Sequence, residues 1–298
     1  MSLASERFPL ESLAAPIFVF IWSTGFIIAR FGMPYMEPAT FLFLRFTGVL
    51  IVMGIIILFW KPIWPNRSQT MHIAIAGALL QFGYVMGVWS AVRLGMTAGL
   101  VALIVGLQPI LTAWSASWVA ERVSYQQWFG LLLGIAGVGL VVAEKTSFMN
   151  IPLAAYIFAL AALFSITFGT LYQKKYCPQF DLRAGSMIQF SISTLLCLLV
   201  ALLFETREIV WNAPVIGALL WGILPTSIGA ISLLFILIRK GAATKVTSLL
   251  YLTPPTTALM AWLLFDEPLS LMMLAGLGLT MTAVILVNYQ QNSSPKTQ

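Results

Sequence analysis

The chain has 298 residues, of which 60% are hydrophobic and only 9% charged, with a mean hydropathy of +0.94 and a net charge of +6. A soluble domain is about a quarter charged, so this chain lacks the polar surface that water on all sides demands. The composition excludes a soluble globular enzyme, a disordered chain and a fibrous protein, and it predicts a polytopic membrane protein.

A membrane helix needs about 20 apolar residues. In chain order the hydropathy predicts ten spans, roughly 13–31, 39–60, 70–92, 96–118, 125–143, 152–172, 184–204, 212–238, 245–264 and 269–287. The runs are continuous rather than alternating, which favours helices over barrel strands. The first run has no small-residue cleavage site after Phe31 and reads as a retained helix. Cys177 lies in a loop and Cys197 within a span, an arrangement that argues against a disulfide.

The excess positive charge reads as orientation, not nucleic-acid binding. With both termini in the cytoplasm, eleven basic residues fall inside: Arg7, Lys61, Arg67, Arg122, Lys174, Lys175, Arg183, Arg239, Lys240, Lys245 and Lys296. Four fall outside, namely Arg30, Arg93, Lys145 and Arg207, and Arg45 lies within a span. Cytoplasmic tails of 1–12 and 289–298 follow from that count.

Residues 93–142 match 239–288 without gaps at an offset of 146. Arg93 meets Arg239, Gly95 meets Gly241, Pro109 meets Pro255, Glu121 meets Glu267, Ser124 meets Ser270 and Gly130 meets Gly276. The offset spans five helices, an odd number, so partner helices run in opposite directions. The expectation is an all-α fold of ten transmembrane helices in two five-helix inverted-topology repeats, 13–143 and 152–288. Such folds place a solute site near mid-membrane between the halves.

The stretch Phe20-Ile21-Trp22-Ser23-Thr24-Gly25-Phe26 and the Leu44-Arg45-Phe46 step resemble the opening of the drug/metabolite transporter superfamily, EamA family. Glu121-Arg122-Val123-Ser124 followed by Trp128-Phe129-Gly130, and Phe265-Asp266-Glu267-Pro268-Leu269-Ser270, resemble the ends of its two repeats. The second repeat departs from the pattern, with Phe164-Ser165 in place of Trp22-Ser23 and Gln189 near the counterpart of Arg45. The resemblance implies ten helices, a bacterial inner membrane, cytoplasmic termini and export of small organic solutes. Amino acids are frequent among them, aromatic ones in YddG-like members.

All ten acids fall in loops or at span ends, so no span core holds the buried carboxylate that proton-coupled cation exporters use. Arg45 lies about 9 Å from a span end. It is either a backbone-pairing residue or an anion contact. The expected substrate-binding set is Trp22, Ser23, Phe26, Arg45, Gln81, Tyr84, Gln108, Ser165, Phe168, Gln189 and Tyr251, joined by Trp89, Tyr172, Trp221 and Thr253 as further candidates. Amides and hydroxyls suit a zwitterion and rings suit an apolar side chain. Pro109, Pro254 and Pro255 are expected hinges, because a proline inside a helix frees the carbonyl four residues earlier. Trp60, Trp64, Trp128 and Trp211 read as interface anchors, and His72 as an interface residue.

The sequence has no metal spacing, phosphate loop or catalytic triad. The expectation is a non-enzymatic transporter of small neutral or zwitterionic metabolites that works by alternating access without ATP or a cofactor. Its partners are the lipid bilayer and a small-molecule substrate, not nucleic acid. The expected state is a monomer, with a dimer through Gly130 and Gly134 as the alternative. Competing readings are a sugar-phosphate, nucleotide-sugar or drug carrier of the same superfamily, or an integral-membrane enzyme.

Overall fold

A computed structural model describes residues 10–117, 125–148, 151–230, 233 and 252–291. Described residues are overwhelmingly helical, with one isolated antiparallel bridge, Met36 to Ile209. We label the helical runs α1 (Leu10–Gly32), α2 (Pro38–Phe59), α3 (Arg67–Arg93), α4 (Ala98–Val105 and Gln108–Ser117) and α5 (Tyr125–Phe148). The second half holds α6 (Leu153–Tyr176), α7 (Leu182–Phe204), α8 (Ala213–Gly229), α9 (Thr253–Phe265) and α10 (Leu271–Gln291). Four of them, α2, α3, α6 and α7, are long and apolar enough to cross a membrane. Shorter apolar helices include Pro16–Gly32, Ala98–Thr112 and Ala213–Gly229.

Local chemistry sets the boundaries. Pro38 opens α2 at a position whose N–H would be unpaired anyway. Asn66 and Gln69 form a reciprocal capping box on α3. Gly95, at φ +97, ends α3 in a left-handed turn, closed by Met96 N donating to Ala91 O at 3.0 Å.

The helices are inside out relative to a soluble protein. On α7, Phe190, Ser193, Cys197 and Ala201 are buried, while Leu195, Leu199 and Leu202 on the opposite face are about half exposed. On α2, Ile51, Ile55 and Leu58 form a similar exposed stripe. Apolar faces turned outward at helical spacing fit a hydrocarbon surround. Trp60, Trp64, Trp128 and Trp211 are exposed near helix ends, where interface anchors belong.

Helices α2 and α7, each the second helix of an expected repeat, lie side by side, with Phe46 and Phe190 rings 5.5 Å apart. Their ends are fastened crosswise, so they run antiparallel. Glu205, just past α7, accepts from Ala39 N, Thr40 N and Thr40 Oγ1 at 2.7 Å each, capping the first turn of α2. Glu37 in return accepts from Thr206 N, Thr206 Oγ1 and Arg207 N at 2.7–3.1 Å. Burial opposes ionisation of Glu37, but these bonds outweigh it and hold the carboxyl below its usual range. At the other end, Asp181 accepts from Ile63 N at 3.1 Å, and Arg183 donates to Trp60 O at 3.1 Å. Helices α5 and α10 pack through glycines: a Cβ on Gly137 would stand 2.8 Å from Gly276 O. That close crossing lies within one chain.

Two helices contain a wide π turn. Ala78–Gly83 interrupts α3 and Gly222–Gly229 ends the described part of α8. Their last residues, Gly83 and Gly229, differ by 146, the repeat offset.

Candidate solute cavity

The expected single span at 96–118 is two helices. The chain leaves helical geometry at Gly106 and Leu107, three residues before Pro109. Pro109 has no N–H to offer Val105 O, and among the described residues no other backbone N–H bonds Val105 O. The break therefore frees a helical acceptor inside the bundle.

The start of α9 meets this break. A Cβ on Gly106 would stand 2.8 Å from Pro254 Cγ, so only glycine allows the approach. Pro254 and Pro255 lie in the first turn of α9. The missing N–H groups cost nothing there. The expected hinge at those two prolines thus falls at the start of the described helix, and the residues just before Leu252 lie outside the described residues. The Tyr251 carbonyl that such a hinge would free, and Tyr251 itself, lie outside the described residues.

Around the meeting point is a cavity of about 350 Å3 counted to its mouth. Its walls are Trp22 and Phe26 of α1, Tyr84 of α3, and Ala102, Val105, Gly106, Gln108 and Pro109 at the α4 break. Ile166 of α6 and Thr253 and Pro254 of α9 complete it. Trp22, Gly106 and Ile166 sit near the middle of their helical runs. No charged side chain is among these lining residues.

The polar groups are few and partly unsatisfied. Gln108 Nε2 donates to Thr170 Oγ1 at 3.1 Å, which leaves its Oε1 as an acceptor. Thr253 Oγ1 is buried with no partner among the described residues, at 6% residue exposure. A buried orphan hydroxyl is uncommon in folded proteins and costs stability unless something fills the need. Ser23, beside Trp22, is also buried with its Oγ unpartnered, and its carbonyl accepts from Thr257 at 3.5 Å.

The structure thus gathers six expected binding residues or hinges at the cavity wall: Trp22, Phe26, Tyr84, Gln108, Pro109 and Pro254. Thr253, a further candidate, joins them. The others lie elsewhere. Arg45 is 7% exposed and turned into α8, where Nε donates to Gly222 O at 3.1 Å. Its Nη2 donates to Thr226 Oγ1 at 3.0 Å and Ser227 Oγ at 3.1 Å. Gln189 donates to Gln173 Oε1 at 2.8 Å. Ser165 packs against Gly83, and Gln81 lies in the π turn of α3. Phe168 is 52% exposed and stacked on Phe164, on the outer surface of α6. Trp89 is a core residue against Phe41, with ring centroids 4.4 Å apart. Trp221 Nε1 donates to Thr24 Oγ1 at 2.9 Å. Tyr172 pairs through its hydroxyl with His72 Nδ1 at 2.8 Å, which ties α3 to α6.

Sequence reasoning passed over Gly106 and Ile166. A glycine three residues before a proline within an apolar run was the available signal for the break. Ile166 carries no such signal. Among the described residues no cluster of three or more His, Cys, Asp or Glu side chains is placed to hold a metal ion.

The chain is similar to known proteins along most of its length. It is 29% identical over 284 residues to the uncharacterized transporter YvbV of Bacillus subtilis, covering 93% of this chain and 91% of that one. It is 26% identical over 166 residues to the probable amino-acid metabolite efflux pump of Salmonella typhimurium, spanning about half of each chain (55% and 54%). It is 23% identical to the uncharacterized inner membrane transporter YedA of Escherichia coli, over 90% of this chain and 87% of that one. A solved crystal structure shares the fold at a TM-score of 0.66 and 17% identity, covering 94% and 97% of the two chains. The family model for EamA-like transporters matches residues 10–143 and again 153–289, so the chain belongs to the EamA-like transporter family.

Proposed function

We propose that this membrane transporter carries small neutral or zwitterionic metabolites, amino acids foremost, in the export direction by alternating access without ATP. The observation that carries the reading is the uncharged cavity at the α4 break. Its rings offer an apolar surface. The Val105 carbonyl and Gln108 Oε1 are acceptors for an ammonium group. The Tyr84 and Thr253 hydroxyls are donors for a carboxylate. The partial match to amino-acid metabolite efflux pumps supports the same substrate class.

The architecture we propose is ten crossing helices in two inverted repeats. It is supported by the two family matches and the antiparallel α2–α7 pair. The basic-residue count supports cytoplasmic termini, and the likeness to an inner membrane transporter supports that location. A sugar-phosphate carrier needs a free cation at the site. Arg45 is engaged by Gly222, Thr226 and Ser227, which weighs against that class.

Purified protein in liposomes, offered a panel of labelled amino acids with and without proton or sodium gradients, tests the proposal. Uptake of at least one amino acid down its own gradient is expected. Uptake of none would end the amino-acid assignment, and strict dependence on a proton gradient would end the ungated-gradient mechanism.

A further inference from the structure

The two π turns have no part in the cavity's chemistry, yet they occupy repeat-equivalent places. A π turn inserts an extra residue into a helix, and such turns concentrate at functional positions. Each here is gripped by the second helix of the other half. Ser193 Oγ on α7 donates to Gly77 O at 3.2 Å, immediately before the π turn of α3. Arg45 Nε on α2 donates to Gly222 O at 3.1 Å, at the first residue of the π turn of α8. Both approaches are close: a Cβ on Gly77 would meet the backbone at Gln189 Cα at 2.6 Å, and one on Gly222 would stand 3.0 Å from Arg45 Cδ.

The grips are unequal. Arg45 also bonds Thr226 and Ser227, whose hydroxyls donate to the same Gly222 carbonyl at 2.8 Å each. Ser193 is neutral and divides its one proton between Gly77 O and its own helix's Gln189 O at 2.8 Å. Bonds from a charged donor are the stronger kind.

We infer that the π turns of α3 and α8 are the paired joints of the transport cycle, and that Arg45 and Ser193 are the positioning residues that hold them. The α2–α7 pair, fastened at both ends, is the frame against which the joints move. Moving the extra residue out of a π turn changes the register of the half-helix beyond it, a discrete two-state change. Because the halves are inverted, releasing α3 and releasing α8 bias access toward opposite sides. The stronger Arg45 grip sets the resting state with α8 held. This inference rests on the alternating-access reading.

The test uses the full chain with Cys177→Ala, Cys197→Ala and Thr253→Cys, which puts one thiol at the cavity. The protein is reconstituted in liposomes and labelled by a membrane-impermeant maleimide from each side in turn. The parent is expected to label from both sides. Arg45→Gln shifts the ratio of the two rates about tenfold in one direction. Ser193→Ala shifts it about two- to threefold in the other direction. Arg45→Lys, which keeps the charge, returns the ratio toward the parent value. Where Arg45→Gln does not fold, Thr226→Val, which removes a hydroxyl of the Arg45 grip, is set against Ser193→Ala and decides by the same opposition. Shifts in the same direction, or none in folded variants of a parent that labels from both sides, overturn the inference alone. A parent labelled from one side only overturns alternating access and this inference with it.

Discussion

Glu205→Ala tests the frame. The wild-type carboxylate accepts three bonds at 2.7 Å, two from the otherwise unpaired N–H groups of Ala39 and Thr40 and one from the Thr40 hydroxyl. Losing a helix cap costs about 0.5–2 kcal/mol. Losing a negative charge beside a helix N-terminus costs about 0.3–1 kcal/mol more. The site is only partly buried, so water replaces some of the bonding, and the sum stays near 2 kcal/mol. For a chain of this size that lowers the melting midpoint by about 3 °C. Glu205→Gln keeps an acceptor oxygen but not the charge, and falls between wild type and Ala. The assay is thermal unfolding in detergent, with Thr40→Val run alone and together with Glu205→Ala. The double variant should be less destabilised than the sum of the singles, because the two side chains share a bond. A midpoint within 1 °C of wild type for Glu205→Ala, with additive doubles, would refute the frame as drawn.

Other predictions follow the same geometry. The Arg183 side chain holds the Asp181 carboxyl at about 2, below its ordinary 3.8. A depressed carboxylate contributes stability above its unfolded value and loses it as pH falls toward its folded value. The wild-type melting midpoint should therefore drop between about pH 4 and pH 2 more than that of Asp181→Asn, and parallel curves would count against the Arg183 contact. Gly106→Val should cut transport at least about tenfold and destabilise by about 1–3 kcal/mol, because its side chain meets the Pro254 ring; normal uptake by this variant would mean the two helix ends part freely. Trp22→Ala should lower uptake while Phe168→Ala leaves it near wild type, since one side chain lines the cavity and the other faces outward. Equal losses in the two variants would contradict the assignment of those faces.

Hydropathy located the long helices well, because a 20-residue apolar run has few other fates. The predicted 39–60 and 184–204 are the observed Pro38–Phe59 and Leu182–Phe204. The break at Gly106 escaped the same reading, since glycine and leucine keep an apolar run looking continuous. The π turns were hidden for a related reason: an extra residue in a turn leaves composition unchanged. Arg45 was visible as costly at depth, but which neighbour satisfies it depends on a helix 177 residues away. Phe164 and Phe168 make a stripe at helical spacing that identifies one face without saying which way it points. In a membrane both lipid and cavity accept aromatic rings, so amphipathicity loses its usual sign. Trp22, Tyr84 and Gln108 were legible because polar or amphipathic groups inside apolar spans must find something to bond. Glu37, Asp181 and Glu205 were visible as acids at span ends, yet their task of fastening helix ends required knowing that α2 and α7 are antiparallel neighbours.

The most direct test of the central claim is counterflow in liposomes preloaded with an unlabelled zwitterionic amino acid. The account predicts that preloading accelerates entry of the labelled solute and that Trp22→Ala slows it at least about fivefold at equal protein incorporation. Exchange of a phosphorylated sugar or an organic cation, with no counterflow of any zwitterion, would contradict it.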